Sequence, residues 1–266
     1  MGKIIAIVNQ KGGVGKTTTS INLAAAFFMM NRKVLLIDLD PQGNASQGSG
    51  VQNKNLKSQI KDVLLGENDI KATIVKTKAG FDLLPTNNEL IVAEVQLMQM
   101  KERELRLKKE LNKIINNYDY ILIDCPPSLN ILTVNALVAA HSIIIPIQCE
   151  YFALEGLTGL LSTIKQIQTT INPELHIEGL LRTMYDGRNK LAVDVSAQLL
   201  EHFEEKVYST VVPRNVRLAE APSHGLPVLQ YDEKSQGSIA YLTLAGEILR
   251  RAEEQQNLVE ELEEEI

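Results

Sequence analysis

The sequence predicts an α/β fold in which a mostly parallel, twisted sheet carries helices on both faces. Two observations predict it. Six short apolar runs recur along the chain, IIAIV (4–8), VLLID (34–38), YILID (120–124), SIIIPI (142–147), IEGLLRTM (177–184) and VYSTVV (207–212), with stretches of helical length and composition between them. The runs are continuous rather than alternating, as a strand covered on both faces requires. Strands separated by helices pair in parallel through crossovers, so both observations point to one architecture.

Each element follows from its stretch of sequence. The first strand ends in a Gly-rich loop, and TTSINLAAAFFMM (18–30) then has the length and composition of a helix leading to the second strand. Residues 55–117 read mostly as helix, broken by short strand candidates at ATIV (72–75) and FDLLP (81–85). Within them, residues 88–115 set charges such as Lys101, Glu102, Arg103 and Glu104 between apolar positions, the pattern of one or two amphipathic helices. LNILTVNALVAA (129–140), LEGLTGLLSTIKQIQTTI (154–171) and LAVDVSAQLLEHF (191–203) are the helices that connect the later strands. No internal repeat or Pro/Gly/Ser-rich linker interrupts the chain, so residues 1–250 are expected to form a single domain, with 251–266 an acidic helix end or tail. Leu258, Leu262 and Ile266 recur there every four residues, the spacing of one helix face; a frayed end is the alternative.

Of the 266 residues, 44% are apolar and 23% charged, a globular composition that excludes disorder as the dominant state. The net charge of -6 argues at first against a nucleic-acid binder. Its location removes that argument: residues 251–266 hold seven glutamates and one arginine, and the other 250 residues carry 26 bases against 26 acids. Cys125 and Cys149 form neither a disulfide framework nor a CxxC motif, and no apolar run approaches bilayer-spanning length. The opening MGKIIAIVNQ is too short for a signal h-region, and Ala6 stands where myristoylation needs Ser or Thr, so a cytoplasmic location is expected. The four histidines lack metal-ligand spacing, and Met29, Met30, Met98 and Met100 read as core fillers.

QKGGVGKTTT (10–19) lies between the first strand and the first helix. Glycine-permitted backbone angles can turn successive N–H groups inward beside a helix N-terminus, which makes an anion cradle. Gly12, Gly13 and Gly15 leave no Cβ in the way of a phosphate, and Val14 and Thr18 complete the candidate contacts of the loop. Lys16 would reach the β- and γ-phosphates as a point charge, and the Thr17 hydroxyl would ligate Mg²⁺. Strand, loop and helix in this order define a P-loop NTPase. ILIDCPPS (121–128) ends a hydrophobic strand in Asp124, the Walker B arrangement, so Asp124 is expected to hold Mg²⁺ directly or through water. LLIDLDPQGN (35–44) puts Asp38 and Asp40 at the C-terminal end of another strand, where ligands of open α/β sheets bind; an acidic cap of the next turn is the alternative.

One departure narrows the class. Gln10 replaces the usual first glycine of the loop pattern, and an additional lysine, Lys11, stands at the loop entrance. KGGVGKT resembles the deviant Walker A loop of the ParA/MinD class of P-loop ATPases, and LLIDLDPQGN resembles switch I of the same class. LLRTMYDGRNKLAVDV (180–195) and VVPRNVRLAEAPSHGLPVLQYDEKSQGSIAY (211–241) look like chromosome-type ParA proteins of the Soj kind, and the resemblance runs from residue 3 to about residue 250. It implies an ATP hydrolase that forms an ATP-sandwich homodimer, in which Lys11 reaches the phosphates of the other subunit's ATP as a basic finger in trans. It implies further that Asp40 positions the attacking water, with a water-mediated link to the metal as an added candidate role, and that Pro213 lies against the adenine. Lys11, Lys16 and Asp40 are thus the candidate catalytic groups. Thr183 stands near a position where relatives often have an Asn to the base.

The same resemblance implies non-specific binding to double-stranded DNA through its phosphates, by Arg188 and Arg217 foremost, with Lys190 and Arg214 as further candidates; a cation in a loop is otherwise simply solvated. Affinity grows with the number of phosphates neutralised, so dimerisation on ATP would switch DNA binding on. A ParB-type centromere-binding partner would then stimulate a slow intrinsic hydrolysis, on the nucleoid, in chromosome or plasmid partition. Two other branches of the class differ in function. A MinD-like cell-division ATPase carries a basic amphipathic C-terminal helix for anionic lipid, whereas this sequence ends NLVEELEEEI, so no membrane contact is expected. An iron-sulfur carrier of the same fold uses cysteine thiolates, for which Cys125 and Cys149 lack the spacing.

Overall fold

The computed structural model describes residues 2–52 and 56–264, with side chains described through residue 257. β1 (Lys3–Ile7) and β2 (Val34–Asp38) flank α1 (Lys16–Met29), as the first unit of the sequence predicts. Short pieces follow: α2 (Asn44–Gly48), α3 (Ile60–Leu65), α4 (Ile70–Thr73), β3 (Val75–Lys76), β4 (Asp82–Leu84), α5 (Leu90–Leu97) and α6 (Arg106–Leu111). The chain then alternates through β5 (Tyr120–Asp124), α7 (Ile131–Ala139), β6 (Ser142–Gln148), α8 (Ala153–Thr170), β7 (His176–Tyr185), α9 (Lys190–Phe203) and β8 (Val207–Pro213). Two short helices, α10 (Val216–Glu220) and α11 (Val228–Tyr231), lead into the long α12 (Gln236–Glu264).

The eight strands form one sheet in the order β3-β4-β2-β5-β1-β6-β7-β8, parallel except for the β3–β4 pair at its edge. Alternate residues of each strand enter two separate cores. Ile4, Ala6, Leu35, Ile37, Ile121 and Ile123 face one core, completed by α3 and α5 to α9. Ile5, Ile7, Leu36 and Leu122 face the other, completed by α1, α11 and α12. Burial on both faces is the reason these strands read as unbroken apolar runs.

Three neighbouring strands position the site. β2, β5 and β1 lie side by side, and their register aligns Asp38 with Asp124 and Asp124 with Ile7. The loops leaving these strands therefore open on one edge of the sheet, at their C-terminal ends, where the strand order reverses around β1.

Two expectations need correction, the strand at ATIV and the burial of the methionines. ATIV does not form a strand: Ile70–Thr73 is a helical turn whose N-cap Asp69 accepts the Lys71 N–H at 2.8 Å, and only Val75–Lys76 pairs with the sheet. Residues 88–115 hold two short helices and a 3-10 turn, the break falling at Glu102, whose φ of 54° cannot continue a right-handed helix. Met29 and Met98 are about half exposed rather than core fillers, since both sit at the last turn of a helix. α12 begins well before the acidic end and runs through residue 250 without a break. Ala240, Tyr241, Leu244, Ala245 and Ile248 give it one buried stripe with the 3.6-residue period. The side chains of Leu258 and Leu262, and all of Ile266, lie outside the described residues.

Candidate nucleotide-binding site

The loop after β1 is held from beneath by Asn9, whose Nδ2 donates to the Pro146 carbonyl at 2.7 Å while its Oδ1 accepts the Lys11 N–H at 2.9 Å. Gly13 and Gly15 have φ of 74° and 90°, left-handed angles that a side chain would strain. Gly15 is the N-cap of α1, with no side-chain cap and no acidic residue in the first turn. The first N–H groups of this 14-residue helix are thus free for an anion, and the helix dipole favours one. Val14 is buried, and its carbonyl accepts the Thr183 hydroxyl at 2.8 Å. Thr183 thus ties the loop to β7 while also lining the cavity over it.

Lys16 is only 7% exposed, folded over the loop so that Nζ donates to the Lys11 carbonyl at 3.1 Å. Burial lowers its pKa, opposed by the charge of Asp124. Thr17 donates its hydroxyl to Asp124 Oδ2 at 2.8 Å, and the Ser20 hydroxyl lies 2.8 Å from the other oxygen, Oδ1. Ser20 is one turn beyond Thr17 on the same face of α1, and that spacing was the signal that could have found it. Burial of the Asp124 carboxyl pushes its pKa up, against the pull of the Thr17 and Ser20 hydrogen bonds.

The two acids after β2 separate. Asp38 is fully buried, and its carboxylate accepts both the N–H and the hydroxyl of Ser46 at 2.7 Å. Burial, with Asp124 beside it, raises its pKa. Asp40 reaches the cavity, where its Oδ1 takes the Gln42 N–H at 3.0 Å.

A cavity of about 530 Å³ opens over the loop, bringing Gly12, Gly13, Gly15, Lys16, Thr17 and Thr18 together with Asp40 and Pro127. Its far wall contains Pro213, Arg214 and Tyr241. Tyr241, on α12, lies 3.1 Å from the Thr19 hydroxyl and had no signal in the sequence. Lys11 is not in this wall: its Nζ pairs with Glu150 Oε2 at 2.6 Å, both side chains partly exposed.

The oxygen donors suit Mg²⁺. Among the described residues no cluster of three or more His, Cys, Asp or Glu side chains could cage a metal. The Thr17 hydroxyl and the Asp124 carboxylate are the sparse, hard set that Mg²⁺ takes when substrate phosphates complete its shell.

The candidate DNA contacts lie in and just after the loops that follow β7 and β8. β7 and β8 align Tyr185 with Pro213, so the loops that follow these strands are neighbours. Arg188 is almost wholly exposed and pairs with Asp186 at 2.8 Å, Lys190 opens α9, and Arg217 pairs with Glu220 at 2.8 Å and Asp232 at 3.2 Å. Arg214 is in the cavity wall, and the Asp186 carboxyl, held well down chiefly by its hydrogen bonds to Arg188, also feels the Arg214 charge. Cys125 and Cys149 are both free and buried, and burial raises both thiol pKa values. The His141 ring instead accepts the Ile4 N–H at 3.0 Å, a structural contact.

A parallel sheet with a phosphate loop after β1 and acids after β2 and β5 is the architecture of P-loop ATPases of the ParA/MinD type. Residues 2–177 match the family model described as an AAA domain. The sporulation initiation inhibitor protein Soj of Bacillus subtilis is 51% identical over 93% of this chain and 98% of its own length. The chromosome partitioning protein ParA of Caulobacter vibrioides is 50% identical over 96% of each chain. A Mycobacterium smegmatis structure described as cobyrinic acid a,c-diamide synthase with bound ADP and magnesium superposes with a TM-score of 0.84 at 39% identity, covering 95% of this chain and 96% of that one. The chain belongs to the ParA/Soj family of chromosome-partition ATPases.

Proposed function

We propose that this protein partitions DNA by an ATP-driven cycle of dimerisation, DNA binding and partner-stimulated hydrolysis. The observation that carries the reading is the cavity in which Lys16, Thr17 and Asp40 converge on an open helix N-terminus, with buried Asp124 bonded to Thr17 and Lys11 outside it. The loop N–H groups and Lys16 hold the ATP phosphates, and Pro213 lies against the adenine. Thr17 and Asp124 would hold Mg²⁺, which would supply positive charge to offset the phosphates. Asp40 orients the attacking water at the open side of the cavity. Lys11 of a second subunit leaves Glu150 and delivers the last positive charge, so hydrolysis waits for the dimer.

Dimerisation also doubles the arginines offered to DNA. Arg188 and Arg217 neutralise phosphates without reading bases, which supports binding that depends on ATP rather than on sequence. A ParB-type protein then accelerates hydrolysis and releases the dimer, in the cytoplasm and on the nucleoid. Among the described residues no helix is long and apolar enough to cross a membrane.

Size-exclusion chromatography with ATP, ADP or no nucleotide, each with and without non-specific duplex DNA, tests the cycle. Dimers and DNA retention with ATP alone are expected. A monomer in all conditions, or DNA retention that ignores nucleotide, would overturn it.

A further inference from the structure

Among the described residues, the Asp40 side chain accepts one hydrogen bond, from the N–H of Gln42 in its own loop. Its position over the cavity is therefore set by that loop, and the loop is fixed elsewhere. Three donors converge on the two oxygens of Asp38: the Ser46 N–H and hydroxyl at 2.7 Å on Oδ2, and the Asp40 N–H at 3.3 Å on Oδ1. Ser46 Oγ in turn accepts the Thr86 N–H at 3.1 Å, which links the network to the end of β4. Gly43, between the two anchors, has φ of 66°, and a Cβ there would lie 3.2 Å from the Thr86 carbonyl. Asp38, Ser46 and Thr86 are all fully buried. The stretch 38–46 is thus pinned at both ends to neighbouring strands.

The chemistry at position 38 is demanding. Three donors face its two oxygens, so both oxygens must accept, which a carboxyl does in either protonation state, whereas an amide would turn an NH₂ toward one donor. The register also sets this carboxylate beside Asp124, a like charge in a buried site. A group kept only to close a turn gains nothing from that neighbour.

We propose that Asp38 is a positioning residue for ATP hydrolysis, acting through Ser46 and the Asp40 N–H to fix the loop that aims Asp40 at the attacking water. The inference rests on the reading of Asp40 as the water-orienting group. Asp38 touches neither the phosphates nor the water itself. A misplacement of about 1 Å in a reacting constellation costs on the order of 100-fold in rate.

The test compares Asp38→Asn, Ser46→Ala and Ser46→Thr with Asp40→Ala, measuring kcat for DNA- and partner-stimulated hydrolysis, Kd for a fluorescent ATP analogue, and dimerisation on Mg-ATP. Asp38→Asn is expected to lower kcat by about 10- to 100-fold with Kd and dimerisation changed less than about twofold. Ser46→Ala, which keeps the backbone bond, should lose less, Ser46→Thr should restore the rate, and the Asp38→Asn/Ser46→Ala double variant should be no slower than Asp38→Asn. If Asp38→Asn fails to fold, the Ser46 pair decides alone. Wild-type kcat in Asp38→Asn and Ser46→Ala, while Asp40→Ala is inactive, overturns the inference and spares the proposed role of Asp40. Full activity in Asp40→Ala overturns that role instead. A parallel loss of kcat and nucleotide affinity would mark Asp38 as structural only.

Discussion

Gly12 and Gly13 separate two effects that one substitution in a phosphate loop usually mixes. A Cβ built on either meets no atom within 4 Å, yet Gly13 has φ of 74° while Gly12 is outside the left-handed region. Valine at 13 therefore strains the backbone by about 1–2 kcal/mol, and valine at 12 should leave stability within about 0.5 kcal/mol. For a chain of this size 1 kcal/mol is a Tm shift of roughly 2–4 °C, so thermal unfolding tells the two apart. Any further effect of Gly12→Val must come from something that approaches the loop from outside the subunit. Forcing a β-branched side chain into a packed contact costs about 1–3 kcal/mol, and a two-fold interface contains the contact twice. The sum, about 2–6 kcal/mol, weakens dimerisation by roughly 30-fold to 10⁴-fold. Sedimentation of Gly12→Val with Mg-ATP should show monomers at concentrations where the unmodified protein is dimeric, while a fluorescent ATP analogue still binds. A Gly12→Val protein that dimerises on ATP as well as the parent would refute the claim that a second copy closes over this loop.

Four other outcomes are expected. Lys11→Ala should leave single-subunit ATP affinity within about twofold, because its Nζ points to Glu150, yet lower stimulated kcat by about 10³-fold or more; an equal loss of binding would place the lysine in its own subunit's site. Thr183→Val strands the buried Val14 carbonyl and should cost about 1–3 kcal/mol in urea unfolding, with weaker nucleotide binding. Asp38 and Asp124 have folded pKa values raised by burial, so their contribution to stability is complete below the ordinary carboxylate range and is lost as pH rises toward about 8. The Tm of the nucleotide-free protein should therefore climb as pH falls from about 8 toward 6, and Asp38→Asn should flatten the climb; a Tm independent of pH in both proteins would contradict the burial argument. Arg188→Ala or Arg217→Ala should reduce the log-log salt slope of DNA binding by roughly 0.9 per lost phosphate contact in each subunit, measured by filter binding, and an unchanged slope removes that arginine from the interface.

Much of the fold was legible because its central strands are buried on both faces, which leaves continuous apolar runs of strand length separated by helical stretches. The phosphate loop was legible for a similar reason: glycines at forced left-handed angles and a lysine at fixed spacing are local features. What escaped was decided over long distances. Asp38 and Asp40 look equivalent in LLIDLDPQGN, and only the register of β2 against β5 sends one inward beside Asp124 and leaves the other in the cavity. The pairing of Lys11 with Glu150 joins residues 139 positions apart. α12 was hidden because its buried stripe begins in a stretch whose likeness to relatives, rather than its own periodicity, drew the reading. ATIV, β-branched and apolar, reads as a strand until the Asp69 cap starts a turn through it.

The charge of the site explains why such a loop would depend on company. Asp40 faces the cavity while Asp38 and Asp124 are fully buried, and Lys16 and Arg214 bring cationic side chains to the cavity wall, the charge of Lys16 disfavoured by burial. Helix N–H groups add partial positive charge, but a triphosphate carries more negative charge than these groups offset. A divalent ion on Thr17 and Asp124 reverses that balance on the side of the β- and γ-phosphates. The open side over Gly12 and Gly13 remains short of one positive charge, and the subunit's own Lys11 is engaged by Glu150. In the proposed cycle a second copy, carrying the same lysine and facing this loop across a two-fold axis, would supply that charge to both sites at once. ATP affinity should accordingly be strongly Mg²⁺-dependent, and hydrolysis should rise more steeply than linearly with protein concentration. A specific activity independent of concentration across the monomer–dimer range would show that the site completes itself.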